Sequence, residues 1–221
     1  MVFTSSAATI QQLPHRLATE ADAEPWPLTD HRPLYATVKI AIEQEVLRAA
    51  AEGLPVVVVN PSICLGEYDA HAFSGRLLLA FAKYRLPCYL EHDLNVVYTG
   101  DVGVGHVRAA GRSRPGERYL LCGENLTLKT FAERVAAVAG VPPPRWRLPP
   151  WVAHATALVS EAAAAMTGSE PWLSRQVIGP GRRGLRLDGT KARQELAMPQ
   201  TPVEEAIRRA LAWFRAAGTL D

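Results

Sequence analysis

Tyr35 and Lys39 stand four residues apart in a segment whose composition favours a helix, and two serines, Ser5 and Ser6, lie upstream. On an α-helix, side chains four positions apart are neighbours on one face. The ammonium group of Lys39 would therefore lie beside the phenol of Tyr35 and favour its phenolate form. A phenolate can take a proton from a substrate hydroxyl group. The spacing predicts an acid–base pair; the alternatives are packing at a helix start for Tyr35 and turn formation at a strand end for the serines.

The pattern of apolar residues predicts the elements that position these side chains. Apolar residues recur at helical spacing from Leu34 to about Ala51, which predicts a helix. Four consecutive valines at 56–59 predict a strand buried on both faces, as in parallel sheets flanked by helices. An earlier apolar segment at 2–5 predicts another strand. Strand, loop, helix and buried strand in this order form a right-handed crossover unit, so the sequence predicts an α/β fold.

Further elements are expected beyond the valine strand. Strands are predicted at 94–98 and 119–122, and helices at 71–84, from Asp101 to about 110, from Thr127 to 139, at 150–167 and at 202–217. Asp101 and Thr127 are predicted to cap their helices at the N-terminus, and Gly140 is predicted to end the second of them.

Several motifs in combination resemble the extended short-chain dehydrogenases/reductases, and within them the NAD-dependent sugar epimerase/dehydratase branch. Hopanoid-associated sugar epimerases and dihydroflavonol-reductase-like proteins are the most similar groups. The resemblance rests on Thr4-Ser5-Ser6-Ala7, Tyr35-x-x-x-Lys39, the run from Gly53 to Ser62, the run from Leu94 to His106, the run from Gly116 to Leu128, and the tail with Lys191-Ala192-Arg193 and Ala212-Trp213-Phe214.

The resemblance implies three catalytic residues. Tyr35 would be the acid–base, and Lys39 would support it and bond the nicotinamide ribose. Ser6 would polarise the reacting oxygen. Tyr35, Lys39 and the neighbouring hydroxyl of Ser5 would also belong to the cofactor site.

The resemblance implies further contacts around these residues. Pro61 and Ser62 match a segment whose backbone lies against the nicotinamide, and Asn95 matches a position near the substrate pocket. Asp101 and His106 match a motif that orders a loop and caps a helix, so we expect structural roles for both.

The resemblance also implies a division of the chain. Residues 1–62, with 94–122 returning to them, match the C-terminal part of a Rossmann-like parallel sheet. Residues 63–93 and 123–221 match a smaller, mostly helical substrate-binding and C-terminal region. Met1 falls at about the fifth strand of the family, and no Gly-x-Gly-x-x-Gly run follows a strand near the N-terminus. The sequence therefore predicts a remnant of the dinucleotide-binding domain.

The function implied is that of an NAD(P)-dependent epimerase/dehydratase-type oxidoreductase acting on a sugar, a nucleotide-sugar or a related alcohol. Two alternatives remain open: a truncated, non-catalytic remnant, and one half of a split enzyme whose partner chain completes the cofactor site. The resemblance does not separate NAD from NADP, because the discriminating residue would lie in the missing part. A homodimer or a complementing N-terminal half is the expected protein partner.

Composition excludes several other classes. The 221 residues carry 24 basic and 22 acidic side chains, a net charge of +2 that gives no reason to expect nucleic acid. Three distant cysteines, Cys64, Cys88 and Cys122, predict free thiols in a reducing compartment.

No set of residues has metal-ligand spacing. The apolar segment at 150–167 is too short and polar to predict a membrane span. Without a charged-then-apolar leader, we expect a cytoplasmic protein.

Overall fold

The computed structural model describes residues 1–23, 34–70, 74–168 and 184–220. Its strands are β1 (Val2–Thr4), β2 (Val57–Pro61), β3 (Ile63–Leu65), β4 (Cys88–Tyr89), β5 (Asp93–Tyr98), β6 (Arg118–Leu121), β7 (Glu124–Thr127) and β8 (Trp146–Arg147). Its helices are α1 (Leu34–Ala51), α2 (Gly75–Ala82), α3 (Thr99–Arg112), α4 (Leu128–Ala139), α5 (Pro150–Thr167), α6 (Thr190–Glu195) and α7 (Val203–Ala216). Two short 3-10 turns, Ala7–Thr9 and Glu20–Asp22, lie between β1 and α1.

The helix α1 has the bounds predicted from its apolar spacing, so that prediction is confirmed. Ala36, Ile40 and Glu43 are its buried residues, and their spacing of four and three places them on one face. Most other positions of α1 are exposed or half-buried. The helix therefore lies on the sheet with one narrow face inward, and that face includes a carboxylate.

The first sheet is parallel, in the order β1–β2–β6, which confirms the predicted α/β class. Val2 pairs with Val57, and Val58 pairs with Arg118. Val57 and Val59 pack with residues of α3, whereas the Asn60 side chain reaches Glu43 of α1 on the other face. Helices on both faces explain why four consecutive valines are buried here.

The chain leaves the first sheet at two neighbouring points. β3 begins two residues after β2 ends, and the Ser62 amide between them donates to the Leu121 carbonyl at 3.1 Å. β7 follows β6 in the same way through Gly123. A Cβ at Gly123 would lie 2.2 Å from the Val96 carbonyl oxygen, so only glycine allows this close backbone approach. Two adjacent strands thus bend together into a second sheet.

The second sheet is mixed: β3 and β5 are parallel, and β5 and β7 are antiparallel. Helices α2, α4 and α7 pack on it around Leu78, Phe131 and Phe214. Within residues 94–122, strand β6 lies in the first sheet and α3 packs against that sheet, whereas β5 pairs with β3 and β7 in the second sheet. The division of the chain into domains stays a prediction.

Helix ends follow local chemistry in one case and a distant contact in another. Thr127 caps α4 by accepting from the Thr130 amide at 3.1 Å, and Gly140 ends that helix with φ of 70°, as predicted. The predicted cap at Asp101 is wrong: α3 begins at Thr99, and the Asp101 carboxylate accepts from the Thr201 amide at 2.6 Å and from its hydroxyl at 2.9 Å.

The remaining predicted helices are present within the described residues. α2 covers 75–82 of the predicted 71–84, of which residues 71–73 lie outside the described part of the chain. α5 has the predicted bounds, and α7 covers 203–216 of the predicted 202–217. Within the described ranges, none of the helices is long and apolar enough to cross a membrane.

Candidate active site

The serine pair lies where β1 ends. The Ser5 amide continues the ladder by donating to the Val59 carbonyl at 2.8 Å, and its buried hydroxyl has no hydrogen-bond partner among the described residues. Ser6 begins the 3-10 turn at Ala7–Thr9, and its Oγ accepts from the Ala8 amide at 3.2 Å. Ser6 therefore forms the turn that the sequence offers as an alternative role for the serines. The Ser5 hydroxyl has no partner in the ranges that the structure describes.

Tyr35 and Lys39 lie side by side on α1, as their spacing predicts. The Nζ atom of Lys39 is 6.0 Å from the centroid of the Tyr35 ring, within the range of a cation–π contact. The same Nζ donates to the carbonyl oxygen of Thr4 at 3.4 Å, so Lys39 bridges α1 and the end of β1. The Tyr35 side chain is 51% exposed, which leaves its phenol accessible to a substrate.

Pro61 and Ser62 lie at the end of β2, beside the end of β1. Thr4 pairs with Val59, so the residues that follow in each strand continue next to one another. The Ser62 Oγ is buried and, like that of Ser5, has no hydrogen-bond partner in the described part of the chain. In parallel sheets, ligands bind at the carboxyl ends of the strands. Two unused buried hydroxyls at this edge are suited to polar groups of a ligand.

Asn95 lies inside the protein, with 0% of its surface exposed. Its Oδ1 accepts from the Gly123 amide at 2.9 Å, and its Nδ2 lies 3.1 Å from the Gly123 carbonyl and 2.9 Å from Asn125 Oδ1. These contacts hold the backbone where β6 passes into β7. They support a structural role, and the substrate contact inferred from the resemblance remains a prediction without support from this geometry.

A buried polar cluster lies beneath the serine turn. Glu43, which is 2% exposed, accepts at Oε2 from Thr9 Oγ1 at 3.1 Å and from Asn60 Nδ2 at 2.8 Å. Its other oxygen pairs with Arg118 Nη2 at 2.7 Å. Asn60 Nδ2 is also 3.2 Å from the Ser6 carbonyl, and Thr9 Oγ1 donates to that carbonyl at 2.9 Å. The cluster joins α1, β2, β6 and the Ser6 turn.

The motifs in the sequence do not predict this cluster, but the position of Glu43 on its helix indicates it. Glu43 continues the face formed by Ala36 and Ile40, where a helix that packs on a sheet normally has an apolar residue. A carboxylate on a buried face needs a partner because an unpaired buried charge is costly. Its partner Arg118 is separated from it by 75 residues, which no local pattern can indicate.

Behind β1, His106 fixes the other side of the same strand end. Its Nδ1 is 2.8 Å from the Val102 carbonyl, which can only accept, so Nδ1 carries a hydrogen. Its Nε2 is 2.9 Å from Thr4 Oγ1. His106 thus has the structural role expected for it, and Asp101 also has a structural role, although it binds Thr201 instead of capping α3. No group of histidine, cysteine and carboxylate residues in the described ranges could hold a metal ion.

Comparison with known proteins gives consistent matches. The family described as the NAD dependent epimerase/dehydratase family matches residues 1–122. A protein of Synechocystis sp., named provisionally as a dihydroflavonol 4-reductase, is 32% identical over 186 residues, which cover 82% of this chain and 54% of the relative. The chain spans between 54% and 62% of the length of the curated relatives that it matches.

Solved structures share the fold over the whole chain. The crystal structure of gox2253 is 33% identical with a TM-score of 0.83, covering 100% of this chain and 67% of that one. A nucleoside-diphosphate-sugar epimerase from Pseudomonas aeruginosa is 28% identical with a TM-score of 0.76, covering 100% of this chain and 68% of that one. Structures below 25% identity share the fold alone, and some are complexes with NAD or NADPH.

Proposed function

Because this chain belongs to the NAD dependent epimerase/dehydratase family, we propose that it takes part in hydride-transfer chemistry on a sugar, a nucleotide-linked sugar or a related alcohol. The observation that carries the proposal is the position of Lys39, whose Nζ faces the Tyr35 ring and bonds the end of β1 next to the serines. This places an accessible phenol, an ammonium group and hydroxyls at the carboxyl edge of a parallel sheet.

Each of these groups has a part in the proposed chemistry. Tyr35, as phenolate, takes the proton from the substrate hydroxyl, and Lys39 stabilises the negative charge of that phenolate. Ser6, whose Oγ accepts from the Ala8 amide at 3.2 Å, donates its hydroxyl hydrogen to the substrate oxygen that becomes a carbonyl. When bound, a nicotinamide cofactor supplies the hydride acceptor and donor.

The described residues fit the nicotinamide end of such a cofactor. The unused buried hydroxyls of Ser5 and Ser62 are suited to its polar groups, and Lys39 is suited to its ribose. Pro61 lies between them at the strand end. The pyrophosphate end would need a glycine-rich turn at a helix N-terminus, and the sequence offers no such motif after a strand near β1. NAD and NADP remain equally suited.

A second candidate role is one half of a two-chain enzyme, and the edge of the first sheet favours it. β1 pairs with β2 on one side, and no strand in the described ranges pairs with its other side. Free strand edges are sites for pairing with another chain. A partner that adds strands beside β1 would also bring a glycine-rich, phosphate-binding turn. A non-catalytic remnant, the third possibility, would bind no cofactor in either arrangement.

Self-association through α1 is also proposed. Leu34, Val38 and Ile42 recur every four residues and are 70%, 46% and 44% exposed, so they form an apolar stripe on the outer face of the helix. A second copy of α1 would cover it. The three cysteines are free thiols, which supports the proposal of a reducing, cytoplasmic setting.

Titration of the purified chain with NADH, followed by nicotinamide fluorescence, tests the main proposal. Saturable binding in the micromolar range would support a cofactor site within this chain, and the Lys39→Met variant should then bind more weakly. A folded chain that binds neither NADH nor NADPH would contradict the proposal for the chain alone. Binding restored by a chain that carries the glycine-rich turn would support the two-chain role.

A further inference from the structure

We propose that Glu43 is a positioning residue for the candidate site, one that fixes the helix of Tyr35 and Lys39 against the turn of Ser6. An effect of Glu43 on catalysis rests on the proposed function, whereas its contacts with neighbouring residues do not.

Glu43 is placed to act on both parts of the site. It lies one helical turn after Lys39 and two turns after Tyr35, on the buried face of α1. Through Oε2 it binds Thr9 and Asn60, and these two side chains reach the carbonyl oxygen of Ser6. A single carboxylate thus connects the catalytic helix to the backbone of the catalytic serine through one intermediate side chain on either path.

The hydrogen-bond inventory explains why a carboxylate is needed. Asn60 Nδ2 lies within 2.8 to 3.2 Å of Glu43, Thr9 and Ser6, so its two hydrogens are shared among three acceptors. Thr9 has one hydroxyl hydrogen for Ser6 and Glu43. Ionised carboxylates only accept, and they accept from several donors at once. Glu43 can therefore hold Thr9 and Asn60 together and still pair with a cation.

Arg118 supplies that cation from β6. Its Nη2 is 2.7 Å from Glu43 Oε1, and both side chains are largely buried, at 16% and 3% exposure. A buried ion pair contributes little net stability compared with apolar residues of similar volume. It does fix geometry, because both charges lose water and must stay together. The pair therefore sets the rotation of α1 on the sheet more than it strengthens the fold.

A variant that removes the ion pair without lowering stability separates a positioning role from a stabilising one. In the double variant Glu43→Leu/Arg118→Met, apolar side chains replace the ion pair, so the melting temperature should stay close to that of the original protein. The Ser6 turn nevertheless loses the carboxylate that holds Thr9 and Asn60. A role in stability alone would be restored by this replacement, whereas a positioning role would not.

Amide hydrogen exchange measures the position without a cofactor. The Thr9 amide, which donates to Ser6 at 3.1 Å, should exchange at least about tenfold faster in the double variant, because local opening of the turn becomes easier. The Leu128 amide at the start of α4, which donates to the His92 carbonyl just before β5, should change by less than about twofold. Unchanged exchange at Thr9, or equal acceleration at both amides, would overturn the proposal.

Two further variants make the result decisive. If the double variant does not fold, Glu43→Gln is measured by the same two amides and the same criteria. Glu45→Gln is the matched control: Glu45 lies on the same helix, and its pair with Arg48 is exposed at 65% and 64%. It should leave both amides unchanged.

Turnover adds a separate readout wherever the wild-type chain is active. The double variant should then lower kcat by about tenfold or more while KM and the Kd for NADH change by less than about twofold, because misplacement affects the transition state more than binding. An unchanged kcat would overturn the positioning role. A wild-type chain without turnover would count against the proposed function only, and the exchange measurement would still decide the role of Glu43.

Discussion

Lys39 binds the carbonyl oxygen of Thr4 through its Nζ atom, at 3.4 Å. Thr4 is the last residue of β1, so this contact sets the distance between α1 and the strand that leads into the serines. The same Nζ lies 6.0 Å from the centroid of the Tyr35 ring. The lysine therefore holds the backbone of the site in addition to its proposed effect on the tyrosine.

Removing the Tyr35 hydroxyl tests the acid–base assignment. Tyr35→Phe should lower kcat by about 10²- to 10⁴-fold, the usual contribution of a positioned acid–base group. Its ring is half exposed, so the free energy of unfolding should change by less than about 0.5 kcal/mol. Steady-state kinetics and thermal unfolding measure the two quantities. Tyr84→Phe, at a 67% exposed position, is the control, and full turnover in Tyr35→Phe would end the assignment.

Gly123 should tolerate no side chain. In Gly123→Ala the new Cβ would meet the Val96 carbonyl 2.2 Å away, so the backbone must shift, at a cost of about 1–3 kcal/mol in unfolding free energy. Gly103→Ala is the contrasting variant: its Cβ would meet no atom within 4 Å, and alanine in a helix is favoured over glycine by about 1 kcal/mol. Urea denaturation should show a lower free energy of unfolding for Gly123→Ala and a higher one for Gly103→Ala. Equal effects would contradict the close approach of β5 and the turn at Gly123.

Acid should weaken the segment that precedes α1. The Arg16 guanidinium, 2.7 Å away, lowers the pKa of Asp22 from 3.8 to about 2. Because the folded pKa is the lower one, the stabilisation is present above about pH 4 and is lost as the pH falls toward 2. Asp22→Asn should therefore be less stable than the original protein at pH 6, and this difference should shrink as the pH falls through about 2. Thermal melts across this pH range measure the difference in stability between Asp22→Asn and the original protein, and Glu52→Gln is the control. A difference that stays the same at every pH would contradict the pairing of Arg16 with Asp22.

The cysteines should differ in reactivity. Burial raises the pKa of Cys122 to about 12, and burial with the nearby Asp69 carboxylate raises that of Cys64 to about 11. Both remain thiols at pH 8, and the thiolate is the reactive form. Iodoacetamide should therefore modify Cys88 first, then Cys64, which is half-buried like Cys88, and the buried Cys122 last. Peptide mass spectrometry would identify the sites, and early modification of Cys122 would contradict its burial.

A charge on the outer face of α1 should prevent self-association. Ile42→Glu places a carboxylate in the apolar stripe with Leu34 and Val38, at a position that is 44% exposed and so costs little folding energy. Sedimentation should give a dimer for the original protein and a monomer for the variant. Leu54→Glu, which is 41% exposed but lies outside the stripe, should leave the dimer intact. A monomeric wild-type protein would contradict this interface.

Local patterns predicted the elements that carry the site. The helical spacing of apolar residues predicted both ends of α1. The four valines at 56–59 predicted the strand that the structure has at Val57–Pro61. Thr127 and Gly140 could be identified as helix ends because caps act within a few residues. The family prediction is likewise confirmed, since the motifs that carried it lie largely in the matched residues 1–122.

Distant contacts account for what the sequence could not predict. Asp101 has the type and position of a cap, but its carboxylate binds Thr201, 100 residues away. Asn95 lies in a motif that resembles one near a substrate pocket. In the structure its side-chain oxygen accepts from the Gly123 amide at the bend into the second sheet. Glu43 and Arg118 meet only when α1 packs across β6. Each case depends on tertiary pairing, which composition and periodicity do not encode.

The link between Asp101 and Thr201 has a consequence for how the molecule unfolds. It fastens the segment before α7 to the first turn of α3, while Tyr119 of β6 bonds Glu195 of α6 at 2.7 Å. Helix α7 in turn completes the core of the second sheet. The two sheets should therefore melt in one cooperative transition, so that damage near the C-terminus is transmitted to the strand ends around Ser6 and Ser62.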